Sequence, residues 1–138
     1  MYYPAKFAKE DNSYTVSFND IPEAMTCGAD ITEAMEMAED VLLSCVEVYF
    51  DMDKAFPSPA SELQADEMWV YLPDNVYAKV LLNNVLIKDK VSKAELSRLT
   101  GIRPPEIQRI LTPRHATKID TISKAISALG KRLLLSVN

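Results

Sequence analysis

The sequence contains few of the residues that carry most enzyme chemistry. Among its 138 residues there are two cysteines, one histidine and three glycines. The glycines form no Gly-rich phosphate loop, and no Cys or Ser is arranged around His115 as in a nucleophilic site. We expect His115 to make a hydrogen bond in a helix linker or a phosphate contact. The sequence therefore predicts a protein that is not an enzyme and uses no cofactor.

Cysteine pairs and long apolar runs are also missing. Cys27 and Cys45 lie eighteen residues apart without a CxxC partner, so we predict two reduced, buried, small apolar residues rather than a disulfide or a metal site. No apolar run approaches the roughly 20 residues that span a bilayer. Residues 1–4 have neither the basic nor the apolar region of a secretory signal. We therefore expect a cytoplasmic protein with no membrane partner.

Positive charge is scarce in the first half of the chain. Residues 1–73 carry three lysines and fifteen carboxylates, a net charge of −12, whereas residues 74–138 carry twelve cations and five carboxylates, a net charge of +7. The overall net charge of −5 hides this asymmetry. Counterion release is local to the surface that touches phosphate, so the basic half remains a candidate for nucleic-acid binding. We predict two domains with separate functions, residues 1–73 and residues 74–138.

The acidic half contains patterns typical of β-strands. Residues 14–18 alternate between apolar and polar side chains, and the polar residues 9–13 separate them from a second extended segment at residues 3–7. This arrangement predicts a hairpin. Residues 25–28 predict a short third strand. The apolar run at residues 68–72 predicts the last and best-buried strand.

One long amphipathic helix is predicted between the third and fourth strands. Asp30 is a suitable N-cap, and Glu33 stands at the capping-box spacing. Apolar residues then recur at helical spacing as far as Tyr49. A helix lying on the apolar side of the hairpin completes an α+β fold, a sheet of three or four strands covered by one long helix.

The basic half predicts four short helices, at residues 74–87, 92–99, 104–111 and 119–129. Residues 92–110 have helix-turn-helix character. Ala94 is small where two helices approach, Leu96 and Leu99 are expected to face the core, and Gly101 suits the turn. The apolar run at residues 133–137 either pairs as a strand or closes the bundle.

A helix-turn-helix in a basic domain indicates DNA binding. Arg and Gln on the second helix pair well with base edges, and flanking cations suit phosphates. A plain four-helix bundle with a solvated basic face is the alternative. Proteins of this kind usually read half-sites as dimers, so we expect a homodimer or a dimer of dimers. The candidate DNA-binding residues are Ser92, Arg103, Glu106, Gln108, Arg109, Arg114, Thr117 and Lys118.

Part of the acidic half resembles the HicB antitoxin family. The resemblance is carried by the strand at residues 14–18, by Asp20-Ile21-Pro22-Glu23-Ala24, by Gly28 and by the helix start at residues 32–38. The basic half is similar to the helix-turn-helix version of that family, so the resemblance covers essentially the whole chain. It implies an N-terminal, partial RNase H-like fold that lacks the catalytic acids.

The resemblance also implies two partners. One is the HicA toxin, a small mRNA-cleaving ribonuclease that residues 1–73 would mask, and the other is the double-stranded operator DNA that residues 74–138 would bind to repress the operon. A toxin that binds RNA should be basic, and the acidic half is a suitable electrostatic partner for it. The candidate toxin contacts are Glu33, Glu36, Glu39, Asp40 and Glu47.

The sequence thus predicts an antitoxin and autorepressor that inhibits by binding. A ligand-sensing transcriptional regulator with an N-terminal effector-binding domain is the alternative. A third possibility is a metal-dependent nuclease, because Asp51 and Asp53 lie close to Glu47 in the sequence. A solvated helix end explains the same residues, and we predict no metal site.

Overall fold

The structure is a computed structural model that describes residues 1–138. The chain forms two compact units. The sheet unit contains residues 1–48 and 57–73, and the helical unit contains residues 49–56 and 74–138. Residues 49–56 group with the helical unit, which differs from the single boundary expected after residue 73. The predicted α+β class is confirmed. No helix in the structure is both long and apolar enough to cross a membrane.

The sheet unit contains a four-stranded antiparallel sheet with the strand order β3-β2-β1-β4. The strands are β1 (Tyr2–Glu10), β2 (Ser13–Ser17), β3 (Met25–Gly28) and β4 (Glu67–Tyr71). The predicted hairpin is confirmed, since only Asp11 and Asn12 separate β1 from β2. Asp11 has a φ of 42°, a left-handed conformation that Asp tolerates better than most residues.

The prediction that the last strand is the best buried was wrong. β4 lies at one edge of the sheet and pairs only with β1, and Val70 is its one buried residue. Trp69 and Tyr71 are exposed on the face where Tyr71 lies opposite Tyr2, with ring centroids 5.2 Å apart. The segment at residues 68–72 is apolar because aromatic residues occupy the exposed face of the sheet. Its apolar composition does not indicate burial on both faces.

The long helix α1 (Ile31–Asp51) begins as the sequence predicts. Asp30 Oδ1 accepts a hydrogen bond from the backbone N–H of Glu33 at 2.8 Å, and Glu33 Oε1 accepts one from the N–H of Ala29 at 3.3 Å. These bonds satisfy two donors near the helix start. The buried residues of the helix and the sheet form the core of this unit: Ala34, Ala38, Leu42, Val46, Tyr3, Ala5, Phe7, Val16 and Val70.

The two cysteines are free thiols, as predicted, but the expected burial was wrong. Cys27 on β3 is exposed and Cys45 on α1 is half-buried. Burial, together with the carboxylate of Glu23, raises the pKa of the Cys45 thiol. Cys27 lies opposite Thr15 in the sheet, and neither residue is buried.

The helical unit contains α2 (Asp74–Lys88), α3 (Lys93–Thr100), α4 (Pro104–Ile110) and α5 (Ile119–Ala128). The four predicted helices are therefore confirmed. Their core consists of Ala78, Leu82, Leu86, Leu96, Ile107, Ile110, Leu111, Ile122, Ala125 and Ile126.

Two expected core contacts of α3 are not formed. Ala94 is exposed and Leu99 is 48% exposed. Leu96 is the only buried residue of this eight-residue helix, and Glu95, Ser97 and Thr100 are half-buried. After α5 the chain is irregular. Leu133 packs against the core, whereas Leu134 and Leu135 are exposed, so the C-terminal run forms no strand.

Residues 49–56 are held in the helical unit by amide side chains of α2. Asn84 Oδ1 accepts from the N–H of Phe56 at 2.9 Å, and Asn84 Nδ2 donates to the carbonyl oxygen of Phe56 at 2.9 Å. Asn83 Nδ2 donates to the carbonyl oxygen of Lys54 at 3.3 Å. These bonds attach the segment that follows α1 to α2.

Candidate binding surfaces

The candidate toxin contacts form a coherent face of α1. At about 100° per residue, Glu33, Glu36, Asp40 and Glu47 lie within a sector of about 60°, and Glu39 lies about 60° to one side. All are exposed except Glu47, which is half-buried. The buried stripe of the helix lies on the opposite side. We call these five residues the acidic face.

Two exposed apolar residues border the acidic face, and sequence reasoning missed them. Met37 and Val48 are 41% and 52% exposed. They lie on the side opposite Glu39 and about 16 Å apart along the helix axis. The sequence signal that could have identified both residues is that they are apolar but lie outside the buried stripe of α1. An apolar contact bordered by charge is typical of a protein-binding surface.

The charge difference between the halves persists in the units of the structure. The sheet unit carries thirteen carboxylates and two lysines, a net charge of −11. The helical unit carries thirteen cations and seven carboxylates, a net charge of +6. The two units therefore produce electrostatic fields of opposite sign.

In the helical unit, α3 and α4 form a helix–turn–helix joined by residues 101–103. Ser92 Oγ caps α3 by accepting from the N–H of Glu95 at 3.1 Å. Gly101 has a φ of 74°, and its N–H donates to the carbonyl oxygen of Ser97 at 2.9 Å. Pro104 and Pro105 occupy the first turn of α4, where their missing N–H groups remove no helical bond. These local predictions are confirmed.

The candidate base-reading residues lie on α4 and at its N-cap, which is Arg103. Arg103, Gln108 and Arg109 are exposed, whereas Glu106 is half-buried rather than exposed. Arg109 Nη1 donates to Glu106 Oε2 at 2.9 Å, and Lys93 Nζ donates to Gln108 Oε1 at 3.3 Å. Both bonds leave N–H groups of Arg109 and Gln108 for other acceptors.

The candidate phosphate contacts flank α4 in the chain. Ser92 lies at the start of α3, and its hydroxyl proton remains a donor while its oxygen serves as the cap. Arg114, Thr117 and Lys118 lie in the segment that joins α4 to α5; Arg114 and Lys118 are exposed and Thr117 is half-buried. His115 is exposed in the same segment.

Asp51 and Asp53 lie at the end of α1, where the backbone explains their positions. The N–H of Lys54 donates to the carbonyl oxygen of Tyr49 at 2.9 Å, and the N–H of Asp53 donates to that of Phe50 at 3.1 Å. Asp53 has a φ of 50°, so this is a Schellman cap with Asp in the left-handed position. The structure contains no group of three or more His, Cys, Asp or Glu side chains that could hold a metal ion.

The fold thus combines an acidic α+β unit that exposes the acidic face with a basic unit that contains a helix-turn-helix. Residues 2–81 match the family described as HicB_like antitoxin of bacterial toxin-antitoxin system. The chain therefore belongs to the HicB-like antitoxin family.

Full-length relatives share this assignment. The chain is 45% identical to "Antitoxin HicB 2" of Photorhabdus laumondii subsp. laumondii over 135 residues, which cover 98% of this chain and 95% of the relative. It is 40% identical to "Antitoxin HicB" of Escherichia coli (strain K12), with 98% of both chains covered. It is 33% identical to "Antitoxin HicB" of Pseudomonas fluorescens, covering 98% of this chain and 92% of the relative. The similarity thus includes both units.

Proposed function

We propose that this antitoxin has two binding activities. It neutralises a small, basic, mRNA-cleaving HicA-like toxin through the acidic face of α1, and it represses its own operon by binding operator DNA through the helix–turn–helix. The observation that carries the proposal is the separation of charge, −11 on the sheet unit and +6 on the helical unit. Because its targets are a ribonuclease and genomic DNA, the antitoxin acts in the cytoplasm.

The antitoxin neutralises the toxin by competing with RNA for the same surface of the toxin. A ribonuclease presents cations to the phosphates of its substrate, and the carboxylates of the acidic face offer those cations an alternative partner. Opposite charge accelerates the encounter and sets the orientation, while desolvated apolar contacts supply much of the affinity. Met37 and Val48 are suited to that second role because both are exposed beside the carboxylates. Covering the RNA-binding surface inhibits the toxin without any chemical step.

DNA binding follows from the side chains of α4. In a helix-turn-helix protein the second helix enters the major groove with its N-terminal part against the bases. The amide of Gln108 matches the N6 and N7 groups of adenine, and the guanidinium groups of Arg103 and Arg109 match the O6 and N7 groups of guanine. The Glu106 carboxylate holds Arg109 along the helix. Ser92, Arg114, Thr117 and Lys118 contact phosphates on either side.

Half-sites separated by one helical turn of DNA require two copies of the reading helix. We therefore propose that the antitoxin acts as a homodimer or a dimer of dimers. Closed two-fold symmetry in the protein matches a palindromic operator.

One experiment tests both activities on the full-length chain. The chain is purified with a tag from its native cells and its copurifying proteins are identified. The purified chain is then titrated with the duplex immediately upstream of its own gene and with a random duplex of the same length. We expect a small basic protein to copurify and the upstream duplex to be preferred. Absence of a small basic partner contradicts the first activity, and equal affinity for the two duplexes contradicts the second.

A further inference from the structure

Lys79, on the second turn of α2, is completely buried in the helical unit. Its side chain is 0% exposed. The ammonium nitrogen donates to three backbone carbonyl oxygens, those of Arg109 at 3.4 Å, Thr112 at 2.9 Å and His115. The three N–H donors of the ammonium group therefore meet three acceptors. Lysine is almost never fully buried without such compensation, so these bonds are what permits its position.

Asn75 binds the same segment from one turn earlier on α2. Residues at i and i+4 lie on one face of a helix, and Asn75 Nδ2 donates to the carbonyl oxygen of Thr117. Together, Asn75 and Lys79 bind four carbonyl groups between the last turn of α4 and the residue before the N-cap of α5. Carbonyls at the C-terminal end of a helix carry partial negative charge, which favours an ammonium partner.

The segment bound in this way, residues 111–118, carries three of the candidate phosphate contacts. Its own backbone forms a turn in which the N–H of His115 donates to the carbonyl oxygen of Thr112 at 3.0 Å. Thr112 and His115 are also acceptors for Lys79, so the lysine ties the turn to α2. The backbone conformation of the segment determines where Arg114 and Lys118 leave the surface.

We propose that Asn75 and Lys79 are positioning residues for DNA binding, which hold residues 111–118 in the conformation that presents Arg114, Thr117 and Lys118 to phosphates. This inference rests on the proposed function of the helical unit. The Lys79 ammonium is buried among carbonyl groups and does not itself reach DNA. Its contribution is to order the segment before binding, which lowers the entropy lost on association.

The test measures binding of the full-length chain to the upstream duplex and the random duplex. Lys79→Met keeps the length and apolar stem of the side chain but removes its three donors. Lys88→Met is the matched control, since Lys88 lies in the last turn of the same helix and is exposed. We expect Lys79→Met to weaken binding to the upstream duplex about tenfold, equivalent to about 1.4 kcal/mol. We expect Lys88→Met to weaken it less than about twofold, because its charge is screened.

A double-mutant cycle with Lys118→Ala separates positioning from a general loss of stability. If Lys79 acts through the segment that presents Lys118, then Lys118→Ala weakens binding less in the Lys79→Met background than in the wild-type chain. Amide hydrogen exchange should also accelerate within residues 112–118 and stay unchanged in α3. Additive effects in the cycle would overturn the proposal.

Asn75→Ala decides the question if circular dichroism shows that Lys79→Met is poorly folded. Asn75 is half-buried and contributes one hydrogen bond to the segment, so we expect about a threefold loss of affinity. Affinity and hydrogen exchange like those of the wild-type chain in Asn75→Ala would overturn this inference alone. Failure of the wild-type chain to prefer the upstream duplex would overturn the proposed function and this inference with it.

Discussion

Gly28 and Ala34 meet where the end of β3 touches the first turns of α1. A β-carbon added to Gly28 would lie 2.6 Å from Ala34 Cα, a separation that real β-carbons essentially never show. The helix is therefore docked directly against the backbone of the strand. This contact gives a physical reason for the glycine between the segment at residues 20–24 and the helix start at residues 32–38.

The first prediction concerns this contact. Gly28→Ala forces the strand and the helix apart, and we expect it to lower the free energy of unfolding by about 1–3 kcal/mol, as overpacked core positions do. Urea unfolding of the full-length chain measures the change. Thr26→Ala, two residues earlier in β3, adds no atom and should cost less than about 1 kcal/mol. Equal costs for the two variants would contradict the close approach.

A second prediction separates base reading from phosphate contact in the proposed DNA complex. Gln108→Ala removes a side chain suited to one adenine, so it should cost about 1–3 kcal/mol on the upstream duplex and relax preference at one base pair. Lys118→Ala should weaken binding to all sequences alike and make the salt dependence shallower by about one unit. Titrations of both variants at several salt concentrations make the comparison. Wild-type affinity in both variants would show that the reading surface lies elsewhere.

The end of α1 leads to a third prediction. Replacing Asp51 and Asp53 by Asn removes two carboxylates but preserves the helix cap, because Asn readily adopts the left-handed conformation of residue 53. We expect unchanged stability and unchanged toxin neutralisation. Incubation of the wild-type chain with RNA or DNA and Mg²⁺ is the accompanying assay. Metal-dependent cleavage that disappears in the double variant would contradict inhibition by binding alone.

A fourth prediction concerns the pH dependence of stability that follows from the burial of Lys79. Desolvation lowers the pKa of Lys79 from its ordinary value of 10.5 to about 8, although the Glu106 carboxylate opposes the shift. Between these pH values the unfolded chain keeps a proton that the folded chain releases. The contribution of Lys79 to the free energy of unfolding therefore rises with pH in this window, by at most about 1.4 kcal/mol per pH unit.

Comparison with Lys79→Met isolates this contribution, because Glu106 and the half-buried Tyr77, whose pKa is raised by desolvation, are present in both proteins. Urea unfolding of both proteins at about pH 8 and about pH 10 gives the difference in their free energy of unfolding at each pH. We expect the stability of the wild-type chain relative to Lys79→Met to increase with pH. A difference that stays constant would show that the environment of Lys79 does not perturb its titration.

The sequence predicts the local features of this fold well because their causes lie within a few residues. The caps at Asp30 and Ser92 and the turn at Gly101 each depend on bonds that reach at most four residues along the chain. Strand alternation and helical spacing likewise identify most elements, since they report one buried face. The charge asymmetry also requires only a count along the chain.

Features that depend on distant partners could not be predicted in this way. Lys79 is buried because carbonyl groups at least 30 residues later surround its ammonium, and no local periodicity records them. The edge position of β4 depends on its pairing with β1, which is adjacent in the sheet but lies at the other end of the unit's sequence. Leu99 has a helical spacing that fits a core position, but the short helix α3 buries only Leu96.

Charge reversal on the acidic face tests whether the sheet unit binds toxin while the helical unit binds DNA. The variant is Glu36→Lys with Asp40→Lys, and the matched control is Glu10→Lys with Glu62→Lys, the same charge change at exposed positions of the sheet unit outside α1. Each is titrated against the copurifying toxin and the upstream duplex. We predict that the α1 variant loses about 100-fold in toxin affinity with operator affinity unchanged, while the control keeps both within about threefold. Equal losses of toxin affinity in both variants, or loss of DNA binding with toxin binding retained, would show that toxin and DNA binding are not divided between the units in this way.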